Sequence, residues 1–343
     1  MKCRTLRGSI TLALAFAAPF AIAADATPII VTPQNFVRAE SDTYIANLAK
    51  ESGGLAKFQH RREPASIDNQ SVIRLNRDTL YTSAIVDLDA GPVTITLPDA
   101  GKRFMSLMIV SEDEYTWTEY GAGPHSFDKN KVGTRYAVVG IRTLVDPNDK
   151  KDVAAVHKLQ DAIKLSQPGG PGTLDLPTYD AASQKKVRDA LIALAATMPS
   201  FDHAFGTKEQ VDPVTHLVGS AAAWGGNPDK DAKYINVTPA KNDGKTVYTL
   251  DVKDVPVDAF WSVSVYNAKG YYEKNAYDAY TVNNLTGKKG KDGAIKIQFG
   301  GCDGKIANCI PITDGWNYTV RLYRPRAEIL DGSWKFPEPS PAS

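Results

Sequence analysis

The period of the apolar residues changes along the chain, and each change marks a class of element. Phe36, Tyr44, Ile45 and Leu48 recur at helical spacing until Gly53-Gly54 stops the pattern. From Val72 to Val110 the pattern becomes that of strands. Leu80 to Leu88 mixes apolar and polar positions, and Gly91-Pro92 turns the chain. Val93-Thr94-Ile95-Thr96-Leu97 alternates with period two, Pro98-Asp99-Ala100-Gly101 turns the chain again, and a third run covers Arg103 to Val110. Short strands joined by tight turns predict an antiparallel sheet.

Helical spacing returns between Asp149 and Met198. Val153, Val156, His157, Gln160, Ile163 and Lys164 follow it, and Gln167-Pro168-Gly169-Gly170-Pro171-Gly172 must break any regular element. A second helix, from about Ala182 to Ala196, carries Val187, Leu191 and Leu194 on one face and ends before Pro199. The last 110 or so residues alternate again at Val247–Val252, Phe260–Tyr266, Ala294–Phe299 and Tyr318–Tyr323, with Gly, Asn, Asp or Pro clusters between. Such short strands suggest a sandwich or jelly roll. The expected fold class is α+β: an antiparallel β-rich N-terminal domain with a helical middle, then a jelly-roll-like β-sandwich. Residues 24–200 and 201–343 are the two expected domains, with the join in the helical middle near residues 200–225.

Residues 1–23 read as a secretory signal. Lys2, Arg4 and Arg7 precede an apolar stretch from Ile10 to Ile22, and Ala21-Ile22-Ala23 offers the small-x-small cleavage pattern. The run is shorter than the roughly 20 residues that cross a bilayer, and small alanines dominate it. No other stretch is apolar enough to span a membrane. The expected location is therefore periplasmic or secreted. Removing the signal turns a net charge of +1 into 37 basic against 39 acidic residues, or −2, which is no footprint for nucleic acid. With 43% apolar and 23% charged residues, the whole chain is neither disordered, collagenous nor a coiled coil. Cys302 and Cys309 remain after cleavage, within one glycine-rich segment. In an oxidising compartment they are expected to form a disulfide, and two thiols with no histidine nearby make an incomplete metal site.

Strong catalytic signatures are missing. No glycine-rich phosphate loop ends in Lys-Ser or Lys-Thr, no Gly-x-Ser-x-Gly appears, and the five histidines are scattered. What stands out is Asn76-Arg77-Asp78-Thr79-Leu80-Tyr81-Thr82-Ser83, preceded by His60-Arg61-Arg62 and Arg74. Polar groups this dense beside a strand must pair or bind something if they are buried. One reading is a network that fixes the loop at the start of the strand. In the functional reading Asp78 is the acid/base or a cation ligand, and Tyr81, grouped with it as catalytic, orients the substrate. Asn76 then orients the substrate, and Arg74 or Arg77 binds an anion. A second cluster, Ser111-Glu112-Asp113-Glu114-Tyr115 with Trp117, Tyr120 and His125, is a solvated turn or a carboxylate-and-aromatic site of the kind that binds sugars. In the last domain Phe260-Trp261-Ser262-Val263-Ser264-Val265-Tyr266-Asn267 reads as packing, or as a substrate surface through Trp261. Arg321 and Tyr323, two apart on a strand, face one side together. They either line a substrate pocket or pair with an acid across the sheet.

Asn76-Arg77-Asp78-Thr79-Leu80-Tyr81, followed by Asp87-Leu88 and Gly91-Pro92, resembles the N-terminal domain of unknown function 1254. Tyr234, Phe260-Trp261-Ser262-Val263-Ser264-Val265-Tyr266, Asn308-Cys309-Ile310-Pro311, Arg321-Leu322-Tyr323 and Pro325 resemble the C-terminal domain of unknown function 1214. The resemblance covers residues 33–338, and Cys309 stands where many relatives carry tryptophan. It implies an α+β domain followed by a jelly-roll-like one, oligomeric assembly, and an exported or envelope location. It implies no agreed reaction and no catalytic list, and cofactors are unknown from the sequence. Two functional expectations follow. The first is an exported hydrolase or lyase for a small polar molecule. The second is a non-catalytic periplasmic ligand-binding or assembly module. Both take a small-molecule ligand, neither takes nucleic acid, and the chain is expected to be a homo-oligomer without a transmembrane segment.

Overall fold

The computed structural model describes residues 27–70 and 72–342. The signal expected over residues 1–23 lies outside the described residues. Helix α1 (Phe36–Ser52) stops at Gly53, whose φ of 73° lets its N–H return to the carbonyls of Ala49 and Lys50. Next come β1 (Gln59–Arg61), β2 (Thr79–Asp87), β3 (Val93–Leu97), β4 (Met105–Ser111), β5 (Thr116–Tyr120) and β6 (Gly123–Phe127). Helix α2 (Lys129–Val132), β7 (Tyr136–Leu144), α3 (Lys150–Ala162), β8 (Lys164–Ser166), α4 (Ala181–Ala195) and α5 (Pro213–Ala222) complete this half.

The predicted strands pair antiparallel, though not in sequence order. One sheet runs β1-β2-β7-β4-β5, while β3 leaves its neighbours and pairs with β6 and β8 in a second sheet. Residues of one face of the large sheet, Ala84, Val86, Leu107, Ile109 and Val139, pack with Val93, Ile95 and Leu97 of β3. Residues of the other face, Ile85, Met108, Val110 and Val138, pack with Ile45 and Ala49 of α1. Cover on both sides explains why β4 is buried at every position, where a one-sided sheet would alternate. Two details depart from the sequence expectation. The helix expected to include Ile163 and Lys164 ends at Ala162, because Lys164–Ser166 find ladder partners in Thr94–Thr96. Leu194 of α4 is exposed, while Leu191 is buried with Phe36, Ala39 and Val218. Helix α5 packs on α1 and α4, so the last helix of the middle region lies against the first half of the chain.

The second half contains β9 (Ala232–Val237), β10 (Tyr248–Val252), β11 (Trp261–Tyr266), β12 (Thr281–Asn283), β13 (Ile295–Phe299) and β14 (Cys309–Ile310). After these come β15 (Asn317–Tyr323), α6 (Ala327–Leu330) and β16 (Ser340–Pro341). Two four-stranded sheets form, β14-β13-β10-β16 and β12-β11-β15-β9. They share an apolar core that includes Leu250, Ile297 and Phe299 from the first, and Trp261, Val263, Val320 and Leu322 from the second. Cys302 and Cys309 form the expected disulfide in the loop that leads into β14. The whole is a mixed, strand-rich fold dominated by antiparallel sheets, with six helices among the described residues.

Candidate functional site at the domain interface

Strands β11 and β15 alternate apolar and polar residues, which predicts one dry and one wet face. Every residue of both strands is nevertheless buried. The apolar set faces the sandwich core. The polar set, Ser262, Ser264 and Tyr266 with Thr319, Arg321 and Tyr323, is covered by the first domain. Residues 74–78 form part of that cover. The Leu75 carbonyl accepts from the hydroxyls of Tyr266 and Tyr272, at 2.9 and 2.7 Å. The Arg74 carbonyl accepts from Arg321 Nη2 at 2.7 Å, and Arg74 Nη1 donates to Thr319 Oγ1 at 2.9 Å. Arg74 has a φ of 53°, a left-handed conformation that costs a non-glycine residue energy and that these contacts hold in place.

At the centre, two phenols from different domains meet one amide. Asn76 Nδ2 lies 2.9 Å from the Tyr323 hydroxyl and 3.3 Å from the Tyr81 hydroxyl. Asn76 Oδ1 accepts from the Asp78 N–H at 2.8 Å, which sets the turn into β2. In the β2–β7 ladder Tyr81 lies directly opposite Arg142, whose guanidinium sits 5.6 Å from the Tyr81 ring centroid. In the β9–β15 ladder Arg321 lies opposite Tyr234, whose hydroxyl accepts from Asn227 Nδ2 at 2.7 Å. Phe104, Phe260 and Tyr323 form an apolar pad beside the centre, with the Phe260 and Tyr323 rings stacked at 4.3 Å. The solvent side is marked by Tyr234, which is 45% exposed, and Tyr81 itself is half-buried.

Charge in this region is not paired by direct contact, although the sealed Asp78 carboxylate acts on Arg321 from farther off. Among the described residues, none of Arg74, Arg142 and Arg321 has a carboxylate within 4.0 Å. Arg321 is satisfied instead by Ser264 Oγ, the Tyr266 hydroxyl and the carbonyls of Arg74 and Leu75. Buried cations without a paired anion favour any group that can become negative. Burial pushes the Tyr81 phenol up, but Arg142, the Thr79 hydroxyl, Arg321 and the Asn76 amide outweigh it, and its pKa falls below the ordinary value. Tyr323 goes the opposite way. Burial and the neighbouring phenols Tyr234 and Tyr81 raise it well above the ordinary value, against the pull of Arg321 and Arg142. Two linked phenols with affinities pushed apart are what a proton donor and a proton acceptor require.

The sequence-predicted residues divide here. Asn76, Tyr81, Arg74, Arg321 and Tyr323 come together. Asp78 takes a different place from the one expected of an acid/base. It is 0% exposed, and its Oδ1 accepts from Asn283 Nδ2 at 3.2 Å and Thr281 Oγ1 at 3.3 Å. With no surface of its own, this carboxylate fastens the loop to β12, and its second oxygen has no partner among the described residues. Arg77 turns away too, bonding the Ala65 carbonyl and lying over the Tyr280 ring at 5.3 Å. Trp261 belongs to the opposite face of β11, where it packs on Phe336, because it is one residue out of phase with Ser262. The second acidic cluster disperses. Asp113 pairs with Arg38, Glu112 accepts from the Tyr136 N–H, and His125 pairs with Glu119. Tyr120 reaches Asp231. Among the described residues, no group of three or more His, Cys, Asp or Glu is placed to hold a metal ion. No helix among them is long and apolar enough to cross a membrane. Sequence reasoning missed Arg142 and Asn227, and took Tyr272, with Tyr271, only as part of an aromatic packing set. Of the two missed residues Arg142 left a trace, as a cation between Ile141 and Leu144 in an otherwise mostly apolar strand.

Residues 55–140 match the family described as Protein of unknown function (DUF1254), and residues 233–327 match Protein of unknown function (DUF1214). No curated protein matches the chain. Among solved structures, the VPA0106 protein of Vibrio parahaemolyticus is similar, with a TM-score of 0.71 at 16% identity, over 91% of this chain and 98% of that one. An uncharacterised protein from Burkholderia cenocepacia is similar with a TM-score of 0.52 at 12% identity, over 89% of this chain and 86% of that one. At these identities the likeness is one of fold.

Proposed function

The chain carries a domain of unknown function 1254 followed by one of unknown function 1214, and from that tandem we propose an enzyme that moves a proton on a small anionic molecule at the domain interface. Tyr81 is the base in this proposal, Tyr323 the opposing donor, and Asn76 the group that sets them side by side. Arg142 and Arg321 hold the anionic group of the ligand and the negative charge that develops when the proton leaves. The observation that carries the reading is the Tyr81 phenol beside the Arg142 guanidinium, which has no carboxylate within 4.0 Å among the described residues. A bound anion would supply the missing charge. Loss of a proton stabilised in this way points to a lyase rather than a hydrolase, since neither phenol is placed as a nucleophile beside a histidine or carboxylate base. A second reading, a non-catalytic ligand-binding module, draws on the near-complete burial of Arg321 and Tyr323.

Incubating wild type and Tyr81→Phe with metabolite pools, with products read by mass spectrometry, separates the two. The enzyme reading expects product from wild type alone, while both proteins gain thermal stability from the same ligand. A ligand that shifts melting in both, with product from neither, belongs to the binding module. The proposal also includes export to an oxidising compartment, supported by the signal-like residues 1–23 and the Cys302–Cys309 bond. It takes the second domain as jelly-roll-like, supported by its eight strands in two four-stranded sheets.

A further inference from the structure

The turn between β4 and β5 carries a carboxyl that the proposed chemistry does not use. Glu114 has a φ of 60°, a left-handed conformation that disfavours a side chain, and its own is 0% exposed. Oε1 accepts from the Gly225 N–H at 2.8 Å, and Oε2 has no partner among the described residues. The groups facing it are Glu40 and Tyr44 on α1, and Ser220 on α5. The nearby cations are already engaged: Arg188 of α4 by Glu40, and Arg38 by Asp113 and Glu112. Burial pushes the Glu114 carboxyl up to about 8, against the Ser220 hydroxyl and the Gly225 amide and with help from Glu40.

Gly225 is where this carboxyl meets the candidate site. Its carbonyl accepts from Arg142 Nη2 at 3.3 Å, and Asn227 Oδ1 accepts from Arg142 Nη1 at 3.0 Å. The preceding Trp224 stacks on Tyr44 at 4.2 Å and donates its indole N–H to Ser41 Oγ at 3.1 Å. Residues 224–227 are therefore held on one side by the helical layer, and on the other side they hold the guanidinium beside Tyr81. Ala222 and Ala223, just before this segment, are exposed.

We propose that Glu114 is a positioning residue operated by a proton: while its carboxyl is neutral the 224–227 segment stays packed over it, a clamp that keeps Arg142 beside Tyr81, and ionisation, although it strengthens the Gly225 bond itself, leaves a buried charge whose hydration draws the segment away. The proposal rests on the Tyr81 reading above for its functional meaning. The chemical change is one O–H proton passing to solvent water. It leaves a charge buried beside Glu40 with no cation at hand, and displacement of the 224–227 segment would hydrate it.

Trp224 reports on that segment. Its fluorescence, taken as wild type minus Trp224→Phe, should pass through a transition centred near pH 8. The same transition should appear in Tyr81→Phe and be absent from Glu114→Gln, whose amide oxygen still accepts from Gly225. Tyr81 phenolate, read by ultraviolet difference against Tyr81→Phe, should form at lower pH in Glu114→Gln than in the parent. A shift of about half a unit, or roughly threefold more phenolate at a fixed pH, is expected. If Trp224→Phe does not fold, exchange of the Gly225 amide, compared between parent and Glu114→Gln at each pH, gives the same readout. A Trp224 transition that persists in Glu114→Gln, or is missing from folded wild type, overturns the clamp. Identical Tyr81 curves in parent and Glu114→Gln overturn its link to the site. A Glu114-dependent transition in a protein whose Tyr81 ionises no more easily than free tyrosine would sink the Tyr81 reading and leave the clamp standing.

Discussion

Two regions of this protein bury charge, and they do so with opposite signs and opposite bookkeeping. In the helical layer the buried groups are acids, and most have partners: Glu40 takes Arg188, Glu112 lies 4.0 Å from Arg38, and Asp42 accepts from the Tyr179 hydroxyl. At the domain interface the groups are mainly arginines, whose direct partners are carbonyls, hydroxyls and ring faces, with the sealed Asp78 carboxylate acting on Arg321 without an ion-pair contact. Partnered charges close a region, while charges met only by dipoles leave it open to an ion from outside. The difference separates a scaffold from a site more sharply than the density of polar residues does.

The most damaging way to break this contrast is to remove the best-satisfied arginine. Arg321→Ala strands the carbonyls of Arg74 and Leu75 and the Ser264 and Tyr266 hydroxyls, and should cost about 3–4 kcal/mol in urea unfolding. Next comes the acid without a partner. Glu114 holds its proton to about pH 8 when folded, against an ordinary value of 4.5. Between those values the folded state binds more protons than the unfolded one, so stability falls as pH rises through that window. Glu114→Gln should flatten the fall and be more stable than the parent at pH 9, by roughly 2–4 kcal/mol in melting scans across pH. Asp42, pushed up to about 6 chiefly by burial, adds a smaller fall of the same sign between its ordinary value and 6. Removing the Cys302–Cys309 bond should cost about 2 kcal/mol, since it closes a short loop, and should leave the ionisation of both regions unchanged. The smallest effect on stability, within about 1 kcal/mol, is expected for Tyr81→Phe, because the Asn76 amide meets the Tyr81 hydroxyl at a long 3.3 Å and keeps its shorter bond to Tyr323. Activity should nevertheless disappear in that variant.

Much of the fold was legible. Val93–Leu97 is a strand at its predicted bounds, and Gly53 ends α1 as a left-handed cap should. Periodicity reports which positions share a face, but not what lies against that face. The alternation at Ser262, Ser264 and Thr319 thus gives no sign that the first half of the chain buries this polar face. The same gap explains the site. Asn76, Tyr81, Arg321 and Tyr323 could be picked out because they are unusual on their own strands or loop. Their partner Arg142 lies in a strand about 60 residues from Tyr81 and meets it only through the β2–β7 register. Asp78 drew attention because carboxylates often do chemistry, but nothing in the local sequence shows that Thr281 and Asn283 cover it. Trp261 has the opposite problem, since its one-residue offset from Ser262 sends a promising side chain into the core.

The measurement that bears most directly on the arginine-rich interface is the pH titration of the Tyr81 phenol, resolved as the ultraviolet difference between wild type and Tyr81→Phe. The ordinary tyrosine value is about 10. The Arg142 guanidinium, which has no carboxylate within 4.0 Å among the described residues, should place the Tyr81 midpoint below that value, and Arg142→Met should move it back up. A midpoint at or above 10 that does not respond to Arg142→Met would show that the interface already balances its own charge, and the case for a bound anion and a tyrosine base would fail.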